Sequence, residues 1–156
     1  MANYNQPKFE HVKGPGKGEQ LPVAASQAFA RRGGKFVYVS TAGAVTLVGD
    51  CGTSIRGWAV IPKDASATNF WTSDSTAKED EIYVISGLED IFEIPYHNAS
   101  ASVNASVVGN ALGIYNTGGV QKAQEDCAAA SECLIVSDFD TNENTVWVRI
   151  KPGCFK

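Results

Sequence analysis

Two histidines, His11 and His97, are the available candidates for a general base, and neither stands in a catalytic pattern. Nucleophilic catalysis needs a Ser or Cys within reach of an imidazole that a third group orients. His11 lies in a stretch punctuated by glycine and proline. His97 follows Ile94-Pro-Tyr96 at a strand end, where a structural or surface histidine is the expectation. Carboxylates cluster at Glu79-Asp80-Glu81 and at Glu89-Asp90 with Glu93. A glycosidase pair must face across a cleft at a set separation, whereas both clusters sit where strands begin and read as solvated turn charges. The sequence therefore offers no catalytic residue and is expected not to be an enzyme.

Metal and phosphate motifs are imitated and then broken. Asp138-Phe-Asp140-Thr-Asn142-Glu-Asn144 starts like a calcium loop. It has Glu143 where the sharp bend needs Gly, and Arg149 where a bidentate Glu belongs. It reads as a hairpin turn, which Asp and Asn favour. Gly14-Pro-Gly-Lys-Gly18 resembles a phosphate loop but has no Ser or Thr after Lys17 and no strand before it, so it reads as a flexible linker. Cys51, Cys127, Cys133 and Cys154 show no zinc spacing. Small buried thiols are the main reading for them, with a Cys127–Cys133 bridge as the alternative in an oxidising exterior. No metal and no cofactor is expected.

The elements that would position these residues are short strands. From Lys35 onward, β-branched and aromatic runs alternate with turn signals: Phe36–Val39, Ala44–Val48, Gly57–Ile61, Ile82–Ile85, Ile91–Ile94, Ala111–Tyr115, Cys133–Val136 and Val146–Ile150. In the last, Val146, Val148 and Ile150 share one face and Trp147 and Arg149 the other. This predicts an all-β domain over residues 35–156, a small barrel or sandwich of about eight short antiparallel strands. Lys122–Glu132 is the one place for a short helix within it. Residues 1–34 read as an extended basic N-terminal arm, broken by Pro7, Pro22 and glycines, with a turn or two of helix at most over Val23–Ala30.

The length of 156 residues fits one domain, and 44% hydrophobic with 19% charged residues is globular composition. The net charge of −4 is uneven. Residues 1–35 hold six basic and two acidic side chains, and residues 36–156 hold seven and fifteen. A basic arm on an acidic body suits docking to an acidic neighbour, while the body would repel phosphate, so nucleic acid is an unfavoured partner. The longest apolar stretches are far short of a membrane span. No secretory signal is evident at the start, so synthesis in a cytoplasm is expected and the acceptor patterns at Asn98 and Asn104 are set aside. The polar connection Pro62–Asp80 carries Phe70 and Trp71 side by side. These rings either tuck back onto the barrel or anchor a neighbour. Trp147 poses the same choice.

One stretch carries a resemblance. Gly87-Leu-Glu-Asp-Ile-Phe-Glu-Ile-Pro95 is followed by a segment of small residues, then Val108–Tyr115, the turn Asn116-Thr-Gly-Gly119 into Val120–Ala123, and finally Leu134–Asp140 and Thr145–Ile150. This order, covering about half the chain, resembles the small β-barrel decoration (cement) proteins of tailed-phage heads. The resemblance implies a noncatalytic virion protein on the capsid exterior, made in the host cytoplasm. It would bind the major capsid protein and strap its subunits together as a homotrimer. Phe9, His11, Lys13, Lys17, Arg31, Arg32, Phe70, Trp71 and Trp147 are the expected capsid or subunit contacts. The alternative is a β-barrel binding module for sugar or single-stranded nucleic acid, with Phe70 and Trp71 as stacking surfaces.

Overall fold

A computed structural model describes residues 10–62 and 69–156. Thirteen strands lie among them: β1 His11–Lys13, β2 Gly18–Pro22, β3 Ala28–Ala30, β4 Phe36–Val39, β5 Val45–Leu47, β6 Gly57–Val60, β7 Phe70–Thr72, β8 Glu81–Ile85, β9 Ile91–His97, β10 Ala111–Thr117, β11 Val120–Gln124, β12 Leu134–Asp140 and β13 Thr145–Ile150. Each of the eight apolar runs is a strand, and alternation decides which face is buried. In β9, Phe92, Ile94 and Tyr96 point inward while Glu93, Pro95 and His97 are half-exposed.

Five strands close on themselves in the order β9-β11-β10-β12-β13, with β13 returning to β9. β9 makes this possible by dividing one edge between two partners. Its start pairs with β1 and its end pairs in parallel with β11, while β13 occupies the opposite edge. Closure leaves this barrel no open edge. Its interior holds Phe92, Ile94, Leu112, Ile114, Leu134, Val136, Val146, Val148 and Ile150, all almost fully buried. The Asp138–Asn144 segment is the tight turn between β12 and β13. Asp140 Oδ1 accepts the Asn142 and Glu143 amides at 2.8 and 3.2 Å.

A second sheet runs β2-β8-β6-β4-β5. Its two edges meet at one parallel bridge, Val23–Val45, where the Ala24 amide donates to Val45 O at 3.0 Å. A smaller core fills its concave side: Val23, Phe29, Val37, Val45, Ala59, Ile61, Ile82 and Val84. Phe29 comes from the β3-β7 ribbon, whose Trp71 ring packs on it at 5.6 Å. The opposite face delivers Phe36 and Trp58 to the larger core. There Trp58 stacks on Phe92 at 4.8 Å, and Phe36 lies edge-on to both.

Three expectations are corrected. Residues 10–34 are not a loose arm. They supply β1, β2 and β3, bury Val23, Phe29 and Ala30, and pair with β9, β8 and β7. Their own apolar content is low because the partner strands supply the rest of the core. Neither helix forms: Val23–Ala30 ends in β3, and Lys122–Glu132 divides between β11 and a single 3-10 turn at Ala129–Ser131. Finally, the cysteines are neither free thiols nor a Cys127–Cys133 pair. Cys51 bonds Cys127 and Cys133 bonds Cys154, across 76 and 21 residues. Tertiary topology, invisible in spacing, brings each pair within 5.6 Å between Cα atoms.

Candidate interaction surface

The nine residues singled out as contacts do not form one patch. Phe9 lies outside the described residues. Lys13, Lys17 and Arg32 are exposed, and Arg31 is half-buried with its amide on Asn69 O at 3.0 Å. Phe70 and Trp71 sit in β7. Trp71 is packed against the smaller core, so of its two readings the structure takes the inward one.

His11 is a structural residue rather than a free contact. Its Nε2 lies 2.7 Å from Asp90 Oδ1, and the Asp90 side chain is fully buried. The Gly16 amide donates to the same oxygen at 2.8 Å. The turn read as a flexible linker is therefore the wrapping of a buried carboxylate. Gly14 is in the left-handed region at φ +107°, and a Cβ there would come within 2.6 Å of Oδ1. A Cβ on Gly87 would collide with Oδ2. This corrects the reading of Asp90 as a solvated turn charge. Burial costs a carboxylate heavily unless it is hydrogen-bonded, so His11→Ala, which removes one of the two bonds to Asp90 Oδ1, is expected to lower unfolding free energy by about 2 kcal/mol in urea titrations.

A second buried charge lies beside it. Lys35 is fully buried, with Nζ 3.3 Å from Glu10 Oε1 and donating to Arg31 O and Gly33 O at 3.2 Å each. The Trp58 ring lies 5.4 Å from the ammonium, and the Trp58 indole donates to Glu10 Oε2 at 3.4 Å. Burial holds the Lys35 ammonium below the usual lysine range, partly offset by the Glu10 charge. In the window between this lowered value and 10.5, the unfolded chain binds the extra proton. Stability from this group therefore rises with pH there. Unfolding free energies followed through the alkaline range up to pH 10.5 should rise in the parent chain relative to Lys35→Met.

Gln121, from β11, joins the two sheets. Its Oε1 accepts the Phe36 amide at 2.8 Å, and its Nε2 donates to Phe36 O and Val48 O at 2.8 and 3.0 Å. A lone Gln in a mixed stretch gives no sequence signal for this role. His97 stacks on Tyr115 at 4.1 Å and 3°, a surface pairing as expected of it.

Among the described aromatic candidates, Trp147 alone faces outward from the larger barrel. The register places it directly opposite Glu93 of β9 on one side and Asp138 of β12 on the other. Two residues on, exposed Arg149 lies opposite Ile135, which is followed by Ala111 of β10. Asp138 is exposed, and Trp147, Glu93 and Ile135 are half-exposed. The Thr145 hydroxyl donates to Glu93 Oε1 at 2.9 Å and steadies that carboxylate. The sheet face thus carries an aromatic centre with charges of both signs around it.

The fold defines the class as an all-β protein of a closed barrel joined to a second, curled sheet. A chain of the solved structure "The capsid of Myoviridae Phage XM1" has the same fold, with a TM-score of 0.60 at 16% identity, over 94% of this chain and 91% of that one. No known family and no curated protein matches the sequence.

Proposed function

We propose that this is a noncatalytic structural protein of a tailed-phage virion, bound to the outer surface of the capsid, where it cements neighbouring capsid subunits. One observation carries the reading: the fold correspondence with a chain of a phage capsid extends over nearly the full length of both chains. The succession of motifs from Gly87 to Ile150, which resembles head-decoration proteins, points the same way. Two disulfides and a closed barrel suit a protein that must persist outside a cell. The homotrimer belongs to the same proposal.

The test is to mix the purified protein with shells assembled from the capsid protein encoded beside it. Stoichiometric co-sedimentation and regular outer density in electron cryomicroscopy are expected, with greater resistance of the shell to heat. Failure to co-sediment, or density on the inner surface, would overturn the reading. Removing residues 1–34 is not a clean test of the basic segment, because it deletes three strands. Exchanging exposed Lys13, Lys17 and Arg32 for Glu keeps those strands in place, and unchanged shell affinity would take the basic segment out of the contact.

A further inference from the structure

The outward face of β13 presents Trp147 and Arg149 about 7 Å apart along one strand. Glu93 and Asp138 flank the indole on the adjoining strands. We propose that this face is a contact between two copies of this chain related by a twofold axis. Arg149 of each copy lies on Trp147 of the other, between its Glu93 and Asp138.

The argument is one of self-complementarity. A twofold contact brings the same patch of both copies together, so each feature must find its counterpart within the patch itself. An axis in the plane of contact, crossing β13 midway between Trp147 and Arg149, runs the two β13 strands antiparallel. It exchanges the two positions, so each guanidinium meets an indole and each indole a guanidinium. The planar, weakly hydrated guanidinium stacks on an aromatic face, and its fork of donors matches carboxylates at the sides. Glu93 and Asp138 stand where those donors would point. A purely basic partner would suit exposed Asp138 but repel Arg149. A saccharide would use the indole and the carboxylates but not the guanidinium. A second copy answers all four side chains.

The contact does not depend on the proposed virion role and is tested without shells. Sedimentation of the full chain at about 10 µM is expected to give at least twice the mass of Arg149→Glu, whether the basic unit is one chain or three. Trp147→Ala should weaken association by about tenfold or more. All four side chains project from the outside of the barrel, and near-ultraviolet circular dichroism of buried Trp58 verifies that each variant is folded. The decisive arm is the exchange: Arg149→Glu combined with Glu93→Arg and Asp138→Arg should recover the higher mass. Equal masses for the parent chain and Arg149→Glu would overturn the proposal. So would an exchange variant that stays at the lower mass while folded. If Trp147→Ala lost binding to a shell or a glycan with no change in mass, the face would belong to that partner and the proposal would fall.

Discussion

Gln121→Leu is expected to lower the unfolding free energy by about 4 kcal/mol. The volumes are similar, so the loss is one of hydrogen bonding. Phe36 O retains the Val48 amide, and Val48 O retains the Asn116 side chain at 2.9 Å. The Phe36 amide has no such second partner among the hydrogen bonds of the described residues, and it is fully buried. An orphaned buried donor costs about 1–3 kcal/mol, and each of the two other lost bonds about 1 kcal/mol net. The check is a urea titration in which the midpoint falls and the slope holds. Exchange of the Phe36 amide should accelerate in parallel. Gln121→Glu should fare worse, since it keeps the acceptor for Phe36 but removes both donations and buries a charge.

The second large effect concerns Cys51–Cys127. This bond fastens the β5–β6 connection of the second sheet to the end of β11 in the barrel. Closing 76 residues in the unfolded chain reduces its entropy by an amount worth about 4 kcal/mol, against about 3 kcal/mol for the 21 residues between Cys133 and Cys154. Replacing both Cys51 and Cys127 by Ser should therefore lower the melting temperature by roughly 8–16 °C for a chain of this size. Scans with and without a phosphine reductant provide the check. Reductant should shift the parent chain further than this double variant, which has only the shorter bridge left to lose. Equal shifts would mean that the longer bridge contributes nothing.

What the residues disclosed, and what they withheld, divides along the range of the interactions. Strands such as β9 and β13 are alternating runs rich in β-branched and aromatic residues, and their inward faces follow from the pattern. Strands β1, β2 and β3 are legible only once their partners are known, because Gly18-Glu-Gln-Leu-Pro22 has neither alternation nor apolar content. Strand propensity measures fit to neighbours more than an intrinsic backbone preference. Val120–Gln124 entered only with the resemblance, since Gln121 and Gln124 point inward where apolar residues are the norm.

The site residues followed the same divide. Trp147 stood out because it breaks the apolar alternation of β13. Its flanking carboxylates come from strands distant in sequence, which only the register joins. Asp90 was misread because a buried carboxylate and a turn carboxylate look alike in a sequence. The discriminating signal was present in Gly14, Gly16 and Gly87. Gly14 and Gly87 leave space for the carboxylate and Gly16 for the His11 ring beside it, which becomes meaningful only when they are folded together.

The two disulfides follow one another along the chain and do not overlap, which limits how far the molecule can be drawn out. Seized at residue 10 and at Lys156 and pulled, the oxidised chain cannot lengthen through the stretches from 51 to 127 and from 133 to 154. Those spans hold roughly 260 and 70 Å of contour length at full extension, kept out of reach by two covalent bonds. Single-molecule traces should show these lengths released only with a reductant present. A protein so made behaves under load as a shortened tether: once its sheets have come apart, only the stretch from residue 10 to Cys51, roughly 140 Å at full extension, and two short linkers are left to extend.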